Sequence, residues 1–353
     1  MHYPQILIDR VKLKHNAEWL LRNAAKAGVQ IHFITKCFCA HRPMVEELVL
    51  AGVENFGDSR WQNLRKINDL GKSRMLVRIP MLSEVNEVVR YADLSLNSEI
   101  ATLEALSDAA LTQEKIHGVI LMVEMGDLRE GFRPEEVEAA VERVLSLRGL
   151  YLAGIGANFN CYGGVIAEEK QMLQLVETAD YLRGRFGIEL PLVSGGNSGA
   201  LYMLEGGRLP EGINHLRIGE AYLLGRETSY GNRVGDLYTD VFTLRAQIIE
   251  CRRKPSIPEG KLGVNAFGEV PTFEDKGMMK RAILGIGRQD TSCETLTPRE
   301  RNVDFLGASS DHMICDVTHY VNDLELGDTL DFSCDYGALT RAFISPYVEK
   351  RLV

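Results

Sequence analysis

The run IHFITK, residues 31–36, is largely apolar and ends on Lys36. A lysine held in a partly dry pocket at the end of such a strand loses its proton more easily than in water. Its free amine can then attack a carbonyl and form a Schiff base. Alone, it reads first as a rim lysine whose stem lies on apolar surface while its ammonium reaches water. Two other stretches bear on the choice. SGGNSG, 194–199, is a glycine-rich turn ahead of a short helical run, so its backbone amides, with Asn197 and Ser198, can cradle a phosphate, although such a turn is often only a turn. LRIGEA, 216–221, sets Arg217 near the end of another apolar run and leaves Gly219 bare enough for an anion to approach its backbone. An amine on one side and a phosphate site on the other point to pyridoxal 5′-phosphate as cofactor.

Those residues need a frame that brings them together. Eight β-like runs punctuate the first two thirds of the chain: 31–36, 54–59, 73–79, 92–98, 118–125, 152–159, 191–196 and 215–220. Segments of helical period lie between them, several opening on Ser or Pro. Ahead of the first, VKLKHNAEWLLRNAAKAG (11–28) sets Leu13, Ala17, Leu20 and Ala24 on one helix face. Eight strand–helix units are the pattern of an α/β fold of the (β/α)8 TIM-barrel type, with a doubly wound sheet as the alternative. The barrel is expected over 10–235. From 236 to 353 strands follow without long helices (LYTDVFTLRAQIIECRR, MKRAILGIG, HMICDVT, TLDFSCDYG), which reads as a C-terminal, mainly-β domain that residues 1–9, through ILID (6–9), can join. The Gly- and Pro-rich segment 254–277 reads as an ordered loop.

Functional residues of such barrels collect at the C-terminal ends of the strands. That rule gathers Lys36, Asp58, Ser59, Asn97, Ser98, the 126–129 turn with Arg129, Asn158, the 195–199 turn, Arg217 and Gly219 at one rim.

Composition narrows the class. The 353 residues are 45% apolar and 25% charged, the balance of a folded chain rather than a disordered one. A net charge of −9 disfavours nucleic acid and anionic lipid as partners. There is no run of eighteen apolar residues, and the opening MHYPQILIDRVKLKHN lacks the layout of a secretory signal, so a cytoplasmic protein without a membrane span is expected. Seven cysteines, scattered apart from Cys37 and Cys39, fit a reducing compartment, and a lone CxC is a poor zinc signal, so no metal is expected.

IDRVKLKHN, the run ending in Lys36, VEMGDLREGF, GIGANF, GGNSG, LRIGEAYLLGRE, GASSDHMICDVT and DYGALTRAFISPYV follow one another over nearly the whole chain. They resemble the successive motifs of the fold-type III pyridoxal-phosphate enzymes, the alanine racemase family; CYGG, INHLRIGEA and GASSDH look closest to its ornithine racemase branch. The resemblance implies an N-terminal barrel, a C-terminal β domain and a head-to-tail homodimer with shared active sites. It also implies Lys36 as the Schiff-base lysine, Arg129 near the cofactor's phenolic oxygen, and Asn158 where alanine racemases stack a histidine on the ring. Ser198 and the backbone around Gly219 fall on phosphate contacts, Arg217 on the partner of the pyridine nitrogen, and Tyr336 on a phosphate-binding tyrosine.

Racemisation needs proton carriers on both faces of the substrate's planar Cα. Lys36 can serve one face. For the other, alanine racemases use a tyrosine in a GYADG-like stretch, and the matching GIGRQD (285–290) has Arg288 there, a poor base better suited to the substrate carboxylate. Asp290, Asp311 and His312 from the β domain and Tyr162 from NCYGG are candidates to move that proton, though each taken alone reads first as a loop-capping or solvated polar residue. KCFCA also replaces the family's KANAYG, and the loss of both tyrosines argues against alanine as preferred substrate. A longer, cationic amino acid, with ornithine first and lysine and arginine as options, needs a carboxylate for its distal ammonium, for which Asp290 and Asp311 are candidates. Glu220 leaves open which group faces the pyridine nitrogen, and with it a basic amino-acid decarboxylase. A non-catalytic cofactor carrier is a third reading, and the second domain weighs against it.

Overall fold

In the computed structural model, which describes residues 2–265 and 267–353, β1 (Gln5–Ile8) and a helix (Arg10–Lys26) precede eight parallel strands that close into a barrel. These are β2 (Gln30–Ile34), β3 (Asn55–Asp58), β4 (Ser73–Leu76), β5 (Leu94–Asn97), β6 (His117–Met122), β7 (Leu150–Gly156), β8 (Leu192–Ser194) and β9 (His215–Ile218). Each overlaps one of the eight runs read from the sequence. Met1 and Ala266, which fall in the ranges assigned there to the β domain, lie outside the described residues.

A parallel barrel strand is covered on both faces, so it is buried throughout rather than alternately. HGVILM of β6 is buried at every position. Where strands crowd, glycine makes room: a Cβ on Gly154 of β7 would come within 2.1 Å of the Leu192 carbonyl oxygen of β8. The helix Arg10–Lys26 buries Leu13, Ala17, Leu20 and Ala24, the face anticipated from its spacing. Met75, Leu94, Leu96, Ile120, Met122 and Ala153 form one apolar cluster, but the strands also bury His32, Ser95, His117, Ser194, His215 and Arg217.

Contacts divide the chain into two units, one spanning Val11–Thr239 and the other combining the N-terminal segment through Arg10 with Asp240–Val353. The second unit is an antiparallel sheet of β10 (Phe242–Pro255), β11 (Met278–Leu284), β12 (Thr297–Pro298), β13 (Asp304–Ala308), β14 (Met313–Asp316) and β15 (Thr329–Ser333), in the order β12-β15-β10-β11-β14-β13. β1 joins it, antiparallel to β10 and parallel to β16 (Glu349–Leu352). A register shift between Ile248 and Glu250 marks where β10 takes up β11 after pairing with β15.

Three local readings are corrected. β2 stops at Ile34, and Lys36 opens a single 3-10 turn (Lys36–Phe38) instead of closing the strand. TLDFSCDYG is not strand to its end, because the Asp335 side chain accepts from the Ala338 amide at 2.7 Å and starts the helix Tyr336–Ile344. That helix buries Ala338, Leu339, Ala342 and Phe343 on one face. Strands β12, β13 and β16, short and without an apolar run, are not among those read from the sequence. No helix among the described residues is long and apolar enough to cross a membrane.

Candidate active site

The ends of β2, β3, β4, β6, β7, β8 and β9 surround a cavity of about 390 Å³, and Lys36, Ser59, Arg129, Asn158, Asn197 and Arg217 all line it. Lys36 is exposed, which corrects the expectation of a partly dry amine: it leaves a turn over an open cavity. The backbone before it is fixed. The Thr35 amide donates to Gly57 O at 2.8 Å and its Oγ1 to Asp58 Oδ2 at 2.6 Å. Asp58 is fully buried and also accepts from the Arg60 amide at 2.9 Å and Asn63 Nδ2 at 3.1 Å. Burial pushes its carboxyl up from the usual range, and these donors pull partly against that.

Arg217, 5% exposed, is the buried cation of the site. Its Nη2 donates to Ala157 O at 2.7 Å and its Nη1 to Ser194 Oγ. Burial pushes the guanidinium down to about 10, with the Glu130 carboxylate offsetting part of the shift. Arg129 donates through Nε and Nη2 to both oxygens of Glu130, and the pair lines the cavity together. Glu220 is the first residue of the helix Glu220–Leu224 and does not line the cavity, whereas Arg217 does.

The loop after β7 is built around one carboxylate. Asp127, 2% exposed, accepts from Asn158 Nδ2 (3.1 Å) and from the amides of Cys161 (3.3 Å), Tyr162 (3.2 Å), Gly163 (3.1 Å) and Val165 (3.4 Å). That clamp sets Cys161 at the cavity wall, where Sγ donates to Asn158 Oδ1 and accepts from Asn197 Nδ2, both at 3.3 Å. Tyr162 is turned out to solvent and does not line the cavity, so it takes the loop reading.

Asn197 caps its own turn, Oδ1 accepting from the Gly199 amide at 2.8 Å. Ser198 is buried, and its Oγ accepts from the amides of Gly219 (3.2 Å) and Ala221 (3.3 Å), which stitches the turn after β8 to the one after β9. Neither Ser198 nor Gly219 lines the cavity itself.

The remaining candidates belong to the β unit. Arg288 is committed to two carboxylates, Glu269 (3.1 Å) and Glu294, and its guanidinium lies over the Phe267 ring at 4.3 Å. Asp290 is 4% exposed; it accepts from Ser345 Oγ at 2.8 Å and from the Gly287 amide at 3.4 Å. A carboxylate so buried and satisfied caps its own turn, which counts against its part as a receptor for a substrate ammonium. Asp311 and His312 are exposed neighbours, His312 Nδ1 standing 2.8 Å from Asp311 Oδ1. Tyr336 is half-buried at the start of its helix.

Val77, Arg78, Ile79, Glu130 and Cys161 also line the cavity. The strand-end rule reaches Arg78 and Ile79 once it is applied to the run 73–79, and Glu130 is one residue beyond the turn already singled out. Asp127 carries a weaker signal, an acid inside a glycine-flanked turn.

A family model described as alanine racemase, N-terminal domain, matches residues 8–226. The chain is 48% identical to ornithine racemase of Acetoanaerobium sticklandii over 352 residues, 99% of this chain and 100% of that protein. It is 38% identical to lysine racemase of Thermotoga maritima over 353 residues, 99% of this chain and 98% of the other. Among solved structures, alanine racemase from Bartonella henselae with covalently bound pyridoxal phosphate superposes with a TM-score of 0.75 at 15% identity, covering all of both chains. That likeness speaks to the fold.

Proposed function

The chain belongs to the alanine racemase family, and from that premise we propose that it racemises a basic amino acid, ornithine first, with pyridoxal 5′-phosphate as cofactor. The observation that carries the reading is the joint lining of one cavity by Lys36, Arg129, Asn158, Asn197 and Arg217. Full-length likeness to racemases of ornithine and lysine supports the substrate class.

The residues present fit the cofactor. Lys36 offers an amine to an aldehyde, and Arg217, buried with its charge intact, offers a donor to a ring nitrogen. The Ser198 hydroxyl, already accepting from two amides, keeps its own proton to donate to a phosphate oxygen. Asn197 and the backbone at Gly219 would complete that side, and Asn158 would meet the ring. Pyridoxal phosphate, when bound, supplies an electron sink for the charge left on the substrate Cα.

Within that frame Lys36 Nζ holds the cofactor and carries the Cα proton on one face. Filling the cavity removes water from around Nζ, so that the proton it carries passes to Cα rather than to solvent. Arg129 steadies the phenolic oxygen. Arg217 would face the ring nitrogen and keep its own proton, so the group held there would be a weak electron sink, which suits return of the proton to Cα. That role, and the place of Glu220 off the cavity, weigh against decarboxylation.

The second face is served, on this reading, by the β domain of a second copy in a head-to-tail homodimer. His312, oriented by Asp311, is the proton carrier, since its carboxylate neighbour fixes the ring through Nδ1 and leaves Nε2 to hold or release a proton. Arg288 meets the substrate carboxylate, Asp311 the distal ammonium, and Tyr336 the phosphate. Seven cysteines, scattered along the chain apart from Cys37 and Cys39, fit a reducing cytoplasm.

Chiral chromatography after incubation of holoenzyme with L-ornithine tests the proposal. Appearance of D-ornithine supports it; an unchanged enantiomer, with ornithine, lysine and arginine alike, rejects it.

A further inference from the structure

Four buried side chains form one hydrogen-bonded line inside the barrel. Arg217 Nη1 donates to Ser194 Oγ, Ser194 Oγ is 2.7 Å from His215 Nδ1, and His215 Nε2 is 2.8 Å from His32 Nδ1. Their exposures are 5%, 0%, 0% and 1%. The line joins three strands, β8 (Ser194), β9 (Arg217 and His215) and β2 (His32), and ends at His32, whose Nε2 is buried without a hydrogen-bond partner.

The barrel could be filled without this line. Interiors of such barrels are layers of branched aliphatic side chains, and these pack without any demand for hydrogen bonds. A serine and two histidines in their place require desolvation of polar groups and leave one ring nitrogen unmet. What they provide is a chain of neutral groups leading to a single cation. Both imidazoles are held neutral, His32 down to about 3, chiefly by burial and with the Arg217 charge adding to it. The line therefore restrains the guanidinium without neutralising it. Its second anchor, Ala157 O at 2.7 Å, is also uncharged. With one nitrogen tied to Ser194 and another to a backbone carbonyl, the planar guanidinium has its orientation set while its positive charge stays directed to the cavity.

We propose that Ser194, His215 and His32 are positioning residues for Arg217, fixing the plane and direction of its guanidinium at the cavity wall. The proposal rests on the reading of Arg217 as the donor to the cofactor's ring nitrogen only for its effect on turnover; the restraint itself is a property of the cofactor-free protein.

The test uses Ser194→Ala, His215→Leu and His32→Leu, with Ser194→Cys, which nearly keeps volume while weakening the acceptor, in case the truncation fails to fold. Three readouts are taken: the Arg217 conformation in crystals of the cofactor-free variants, the visible absorption band of bound cofactor without substrate, and kcat and KM separately. The expected result is a displaced or disordered guanidinium, a shifted band, and kcat lower by roughly ten- to a hundredfold with KM within about twofold. The effects should decrease from Ser194 to His215 to His32, and Ser194→Cys should fall between wild type and Ser194→Ala. An unmoved Arg217 and an unchanged band, with only thermal stability lost, overturn the proposal. A displaced Arg217 in a protein that racemises nothing leaves the positioning role standing and removes the racemase reading instead.

Discussion

Thr35 Oγ1 donates to Asp58 Oδ2 at 2.6 Å, tying the end of β2 to the end of β3 one residue before Lys36. Both partners are fully buried, so the bond lies beyond the reach of water. Thr35→Val keeps the shape and removes one of the donors to a buried carboxylate. The expected loss is about 1–3 kcal/mol of stability, together with a weaker hold on cofactor because the turn bearing Lys36 loses its anchor. Urea unfolding and cofactor titration check it; unchanged values in both would show the bond to be incidental.

Acid should weaken the barrel before it protonates the site. His32 and His117 are depressed to about 3 and about 4, mainly by burial, while an unfolded histidine titrates near roughly 6.5. Between those values the unfolded chain binds protons that the fold refuses. Stability is therefore full above about pH 6.5 and falls as pH drops toward the folded values, at roughly 1.4 kcal/mol per histidine per pH unit. Unfolding free energies measured at pH 5 and pH 7.5 should differ less in His32→Gln and in His117→Gln than in wild type. Equal differences in all three proteins would contradict the assignment.

Asp127 organises the loop that carries Asn158 and Cys161 to the cavity. Asp127→Ala deprives four backbone amides and Asn158 of their acceptor and should cost at least about 2 kcal/mol. Amide exchange at 161–165 should speed up while exchange in β6 and β7 stays slow. Uniform acceleration across the barrel would mean that Asp127 supports the fold at large rather than this loop.

Two carboxylates of the β unit separate by burial. Asp290→Asn should lower stability by roughly 1–3 kcal/mol and leave substrate preference unchanged, because its carboxylate is spent on Ser345 and Gly287. Asp311→Asn should lower kcat/KM for ornithine about tenfold relative to the uncharged norvaline if it receives the distal ammonium. Parallel losses on both substrates would remove Asp311 from that role.

Much of the frame is legible from local pattern. Buried parallel strands such as HGVILM are apolar at most positions and stand out from their helical neighbours, so all eight barrel strands overlap runs visible in the sequence. The strand-end rule then finds Lys36, Arg129, Asn158, Asn197 and Arg217 without reference to side-chain contacts. What escapes it depends on three-dimensional neighbours. Lys36 is exposed on a 3-10 turn after β2 stops early, and the bond that anchors that turn runs from Thr35 to Asp58, 23 positions on at the end of β3. The helix at Tyr336 hinges on one cap by Asp335 beside a strong strand signal. The line from Arg217 to His32 joins residues 185 positions apart and has no sequence signature beyond a polar residue in an apolar strand. Asp290, whose type and motif suggest chemistry, proves to be a buried cap.

The central claim is that Lys36 and a second group move the Cα proton on opposite faces of a basic amino acid. Mass spectrometry and proton NMR of L- and D-ornithine recovered after incubation with holoenzyme in deuterium oxide test it most directly. Deuterium should enter Cα of each isomer as the other isomer forms, and Lys36→Ala should abolish both. Loss of carbon dioxide, or recovery of either isomer with its α-proton intact after prolonged incubation, would contradict the account.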